Sequence, residues 1–154
     1  MPRLISFLLC FTLCLLLPRD GWSQTKVYRN VSNEAVEKIL QGLELKYQKD
    51  ERKDKDSVVM FFDFTRGDQS FRLYNYRSDL WLECTFEKKL TREDINRWNA
   101  DAKFSRLVMI EQKDKVVLSL ESQIDCMAGV TDAIIKHYIN RFDEEAKKFT
   151  KFAK

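Results

Sequence analysis

The sequence predicts an α+β fold in which helices pack on a twisted antiparallel sheet of five to six strands. The predicted order is helix, three or four strands, helix, two strands, helix. Three observations carry this reading. Helix starts with a Ser or Thr cap beside apolar residues stand at Val31–Val36, Leu90–Ile95 and Val130–Asp132. Between them, apolar and polar residues alternate with the period of two that a half-buried strand requires. The links between these alternating segments are short, which makes consecutive strands antiparallel neighbours.

Ahead of these elements, Arg3 precedes an apolar run from Leu4 to Leu17, closed by Pro18-Arg19-Asp20-Gly21. A basic start, an apolar stretch too short for the roughly 20 residues of a membrane span, and small residues Gly21 and Ser23 before Gln24 describe a secretory signal peptide. Residues 1–23 are expected to be removed, leaving one domain, 24–154, in the bacterial periplasm or outside the cell, with no transmembrane segment. Cys10 and Cys14 follow leucines and do not form a lipobox. Removing 23 of 154 residues leaves 131, the size of one domain with one core. Of 27 basic and 24 acidic residues, the leader takes Arg3, Arg19 and Asp20, so 25 and 23 remain, a net +2. That near-neutral mixture gives no electrostatic reason to expect nucleic acid.

Ser32 caps the first helix, Val31 staples against Val36, and Ile39, Leu40 and Leu43 continue the apolar stripe up to Gly42 and its surroundings. Leu45 and Tyr47 begin a strand, and the mixed charges of Lys49 to Asp56 read as a solvated hairpin loop. Val58, Met60, Phe62 and Phe64 share one face of the next strand, and Arg66-Gly67-Asp68-Gln69 supplies the turn. Phe71, Leu73, Tyr74 and Tyr76 mark the following strand. Leu80, Leu82, Cys84 and Phe86 then alternate with Trp81, Glu83 and Thr85. Thr91 caps a short helix ending near Asn99, with Asp94 completing a capping box. Phe104–Ile110 and Val116–Ser122 form a hairpin. The last helix opens at Thr131 and carries Ile134, Ile135, Tyr138, Ile139, Phe142, Ala146 and Phe149 as the stripe that covers the sheet.

No catalytic constellation, cofactor motif or metal-ligand spacing stands out, so the chain reads as a non-enzyme without a cofactor or metal. The single histidine, His137, shares its helix face with Ala133, Arg141 and Glu144 and reads as a surface residue. A hydrolase centred on it is the competing reading. Cys84 and Cys126 are either small buried hydrophobes or a disulfide that closes a loop of about 42 residues, worth roughly 4 kcal/mol on the chain-entropy account. Lys147, Lys148, Lys151 and Lys154, interleaved with Phe149 and Phe152, complement a helix C-terminus; an anionic membrane surface is the alternative. In Ile95-Asn96-Arg97-Trp98-Asn99, Ile95 and Trp98 face the core and Asn99 ends the helix in a left-handed conformation, or the two asparagines present amides to a ligand or a backbone.

That string, with Phe104-Ser105-Arg106, Val117-Leu118-Ser119-Leu120-Glu121 and Gly129-Val130-Thr131 running into a helix through Phe142, resembles the YbjN family, described as bacterial sensory transduction regulators. The resemblance covers roughly residues 31 to 149 and implies the fold of type III secretion chaperones. It carries no catalytic position to transfer. Many family members are cytoplasmic, and the leader here departs from that setting. The function expected is an exported, non-enzymatic regulatory or interaction module that binds a protein segment, or a second copy of itself, through a sheet edge or an apolar groove. Tyr74, Tyr76 and Trp81 are the contact candidates, as aromatics not needed on the core face. The alternative is a small-ligand sensor whose pocket lies between the last helix and the sheet, lined by Phe62, Phe64, Leu82 and Phe142.

Overall fold

The three caps act as the sequence requires. The Ser32, Thr91 and Thr131 side chains accept the amides of Ala35, Asp94 and Ile134, and open helices α1 (Asn33–Gln41), α2 (Arg92–Asp101) and α3 (Asp132–Phe152). These come from a computed structural model, which describes residues 25–54, 57–112 and 115–154. The expected leader, with Cys10 and Cys14, lies outside the described residues. Gly42 caps α1 in the right-handed region at φ −70°, and Glu44, not glycine, takes the left-handed position at φ 57°.

Strands β1 (Val27–Tyr28) and β8 (Val130–Thr131) pair as a two-stranded patch at the start of α3. The main sheet holds β2 (Tyr47–Asp54), β3 (Ser57–Arg66), β4 (Gln69–Asn75), β5 (Asp79–Phe86), β6 (Arg106–Gln112) and β7 (Lys115–Asp125). Its order is β2-β3-β4-β5-β7-β6, antiparallel at every step. The α+β class and the antiparallel sheet hold, with four strands ahead of α2. Among the described residues no helix is long and apolar enough to cross a membrane.

The alternation of β3, β4, β5 and β7 sends Phe62, Phe64, Phe71, Leu73, Leu80, Leu82, Cys84, Leu118 and Leu120 into one core. Ile39 and Leu40 of α1, Ile95 and Trp98 of α2, and Ile135, Ile139, Phe142 and Phe149 of α3 fill the other side of it. All three helices therefore cover a single face of the sheet, and the other face is free of helices. Ile134, expected in the stripe of α3, is 43% exposed, whereas Ile135 beside it on the helix is fully buried.

The charged run from Lys49 is a strand as far as Asp54, not a loop. Its backbone pairs with β3 from Tyr47↔Phe64 to Asp54↔Ser57. On the helix side, Tyr47 and Lys49 both donate to the Glu37 carboxylate of α1, at 3.0 and 2.8 Å. An edge strand needs backbone pairing on one side only, and charge on it discourages a further strand from adding.

Asn99 does not end α2, which runs on to Asp101. Its amide instead brackets β6: the Leu107 N–H donates to Asn99 Oδ1 at 2.7 Å, and Asn99 Nδ2 donates to the Leu107 carbonyl at 2.9 Å. Asn99→Ala is expected to lower stability by about 1–3 kcal/mol, the cost of two unpaired backbone groups. A chemical denaturation midpoint indistinguishable from that of the parent chain would show that water replaces the amide at no cost.

Candidate functional site

Register decides what the helix-free face displays. The pairings Asp50↔Phe61, Phe61↔Tyr74, Tyr74↔Trp81 and Trp81↔Gln123 run in one line across five strands. Tyr74 and Trp81 are thus direct cross-strand neighbours, and Phe61 joins them. Two residues along, a charged line runs Asp63↔Arg72, Arg72↔Glu83, Glu83↔Glu121 and Glu121↔Arg106. Arg72 grips Asp63 through two bonds of 2.7 and 2.8 Å and lies 4.2 Å over the Phe61 ring, tying the two lines together. Arg106 grips Glu121 and lies 5.5 Å from the Trp81 ring centre. A guanidinium that is both ion-paired and stacked is held more firmly than either contact alone would hold it.

The three aromatic candidates differ in access. Tyr76 is 37% exposed, and Trp81 is half-buried with no helix above it. Tyr74 is only 8% exposed, because Arg52, Phe61 and Tyr76 close over its ring at 5.4, 5.9 and 6.2 Å. Tyr74 supports the row, and Tyr76 and Trp81 present it. Over the charged line, a hollow of about 750 Å³ is bordered by Gln48, Asp63, Thr65, Ser70, Arg72 and Glu83. A smaller one of about 290 Å³ lies against Trp81, Phe104, Arg106 and Gln123. The Trp81 indole N–H is buried and has no partner among the described residues. Nothing in the sequence singles out Phe61 or Arg72, yet the alternation that assigns Phe62 to the core also turns Phe61 outward.

The interior pocket that the ligand-sensor alternative requires is filled. Phe62, Leu82 and Phe142 have no exposed surface and Phe64 has 4%. Phe64 stacks on Phe71 at 5.5 Å, and Phe71 meets the edge of Phe142 at 5.9 Å. The Tyr138 hydroxyl closes the same layer, donating to the Ser122 carbonyl at 2.7 Å and accepting from the Leu82 N–H at 3.2 Å. Burial pushes that phenol well above its ordinary range.

The disulfide does not form: both cysteines are free. Cys84 stands opposite Leu120, whereas Cys126 follows the pair Asp79↔Asp125 at the far end of the same ladder. The five ladder steps from Leu120 to Asp125, at about 3.3 Å each, already separate them by roughly 16 Å, beyond the roughly 7 Å that a bridge tolerates. Burial raises the Cys84 thiol to about 12 and the Cys126 thiol to about 11, far from nucleophilic. Folding holds both neutral. Their contribution to stability is therefore complete below the ordinary value of 9 and is lost as pH rises toward about 11 and 12. Denaturation midpoints are expected to fall across that interval in the parent chain and to fall less in a Cys84→Ala, Cys126→Ala double variant. An equal decline in both would refute the assignment.

The remaining candidates resolve individually. His137 is exposed on α3, and its side chain has no hydrogen-bond partner among the described residues. No group of three His, Cys, Asp or Glu side chains among the described residues is arranged to hold a metal ion. In the Arg66-Gly67-Asp68 turn, Gly67 supplies a positive φ of 56°, and Arg66 is held by Asn140 and Asp143 of α3 at 2.7 and 3.5 Å. The aromatics between the C-terminal lysines point inward: Phe149 packs on Phe86 and Trp98 at 4.6 and 5.2 Å, and Phe152 on Trp98 at 5.4 Å. Lys147 and Lys148 pair with Asp143 and Glu145 of their own helix.

A family model for YbjN, described as "Putative bacterial sensory transduction regulator", matches residues 32–153. The chain belongs to the YbjN family. The match spans everything from the cap of α1 to the end of α3, so the helix-free face and both sheet edges lie within the YbjN domain. A crystal structure of YbjN, "a putative transcription regulator from E. coli", is similar with a TM-score of 0.60 at 12% sequence identity. The likeness covers 75% of this chain and 85% of that one. At that identity the likeness concerns the fold. Among curated proteins none matches. The YbjN description is that of a regulator, which places this chain in general among regulatory or interaction modules.

Proposed function

We propose that this YbjN protein is an exported, non-enzymatic module that binds a protein segment on the helix-free face of its sheet. One observation carries the reading: the line Phe61, Tyr74, Trp81, with Tyr76 exposed beside it, lies on a face that no helix covers, next to the charged line Asp63, Arg72, Glu83 that borders a hollow. Aromatic side chains supply large, rigid contact area, and the ion-paired arginines between them add directional donors, the usual composition of an interface centre. Export is supported by the basic start, the short apolar run and the small residues before Gln24.

The test places a photo-crosslinking amino acid at position 76 in the full chain, expressed in its source bacterium, followed by native mass spectrometry of the periplasmic fraction. A stoichiometric crosslinked protein, lost in Trp81→Ala, is the expected result. A processed chain found without any protein, carrying a small-molecule mass, would overturn the binding reading. A chain recovered only in the cytoplasm at full length would overturn export.

A further inference from the structure

The two edges of the sheet are unlike. Along β2 the edge is Gln48-Lys49-Asp50-Glu51-Arg52-Lys53, a charged strand of the kind that resists pairing. Along β6 it is Leu107-Val108-Met109-Ile110, apolar and without lysine or proline. The bracket from Asn99 shows which backbone groups of β6 face outward. Leu107 gives both its N–H and its carbonyl to Asn99, so they point away from β7. In an antiparallel ladder this direction alternates, so the N–H and carbonyl of Met109 and Glu111 point outward as well, with Val108 and Ile110 turned to β7. A cavity of about 510 Å³ lies beside those two residues, walled by Arg92, Ile95 and Asn96 of α2. Asn99 closes the edge at Leu107; the next two outward positions open into a slot.

We infer that this slot accepts an extended peptide segment as an added strand, paired to Met109 and Glu111 and directing an aliphatic side chain against Ile95 and Met109. The occupant is a bare segment, not a second copy of this chain. Asn99 can reach the outward groups of Leu107 only because α2 runs along the free side of β6. Joining two β6 strands about 4.8 Å apart would drive two such helices, each about 10 Å across, into one space. An unfolded segment brings no helix. Each of the two residues offers one donor and one acceptor, so the backbone supplies affinity and the α2 wall supplies selectivity. This surface is separate from the helix-free face and does not depend on the reading proposed for it.

The probe is a displayed library of random eight-residue segments with flexible glycine-serine flanks, panned on the full chain. Enriched segments are expected to carry an aliphatic residue between small or polar neighbours and to slow hydrogen exchange at the Met109 and Glu111 amides. Met109→Pro and Glu111→Pro each remove an outward N–H that pairs with nothing among the described residues, a change tolerated on an edge strand. Each should weaken binding at least tenfold with little change in the denaturation midpoint. Should either variant fold poorly, N-methylation of alternate amides in the peptide gives the same test on an untouched protein: one alternating set abolishes binding and the other does not. Tyr76→Ala and Trp81→Ala should leave peptide affinity unchanged. Failure to enrich any segment, binding indifferent to both prolines and both methylated sets, or a dimer with β6 protected in the free chain would each overturn the inference. Loss of binding only in Tyr76→Ala and Trp81→Ala would also overturn it, while leaving the reading of the open face intact.

Discussion

Phe142→Ala is expected to destabilise the fold by about 3–5 kcal/mol, among the largest effects that a single truncation can have in this core. The ring has no exposed surface and fills the layer between α3 and the sheet, edge-on to Phe71, which in turn stacks on Phe64. Its removal deletes the transfer free energy of the side chain and leaves a void that a rigid sheet on one side and a 21-residue helix on the other cannot close. A chemical denaturation midpoint, read with an unchanged slope, measures the cost. A loss under about 1 kcal/mol would mean that the layer collapses freely and is not close-packed, which would restore a ligand pocket between α3 and the sheet.

Asn75→Ala is expected to cost about 3 kcal/mol through hydrogen bonds instead of volume. Asn75, 3% exposed at the end of β4, donates to the Val31 carbonyl at 3.0 Å and to Asn33 Oδ1 at 2.8 Å. It also accepts from the N–H of Arg77 at 2.9 Å, and Arg77 is held at a positive φ of 69°. The Arg77 carbonyl in turn accepts from the Val31 N–H at 2.8 Å. One amide therefore fixes a strained turn and docks the start of α1 on it. Asn75→Asp is expected to be at least as damaging, since it replaces the amide donors with a carboxylate facing two oxygens. If Asn75→Asp proved as stable as the parent chain, the donor role would be wrong.

Both predictions concern residues that the sequence treats very differently. Phe142 is legible from spacing alone, because it follows Ile135, Tyr138 and Ile139 at helical intervals. Asn75 is not: its partners lie 42 and 44 residues away, and an asparagine at a strand end reads equally well as a turn residue. Asn99 shows the same limit. Its position at the end of α2 suggests a left-handed terminator, whereas its amide pins a strand eight residues on. The charged strand β2 escapes because alternation detects burial, and an edge strand held by its backbone and one carboxylate of α1 need not be buried on either face.

The candidate site divides in the same way. Alternation places Trp81, Glu83 and Thr85 on the face opposite the core, and the short links make β3, β4 and β5 neighbours. Only the tertiary structure set the register that aligns Phe61, Tyr74 and Trp81, covered Tyr74 with Arg52, and separated Cys84 from Cys126 along one ladder.

By itself, the sequence determined the α+β class, the three capped helices, the core faces of the strands and the family. Those follow from periodicity and from side chains that act on their immediate neighbours. The tertiary structure decided that β7 and not β6 pairs with β5, that all three helices share one face, and that β6 keeps an open edge beside α2. Contacts between residues distant in the chain leave no period in the sequence, because each depends on where the whole backbone has already gone.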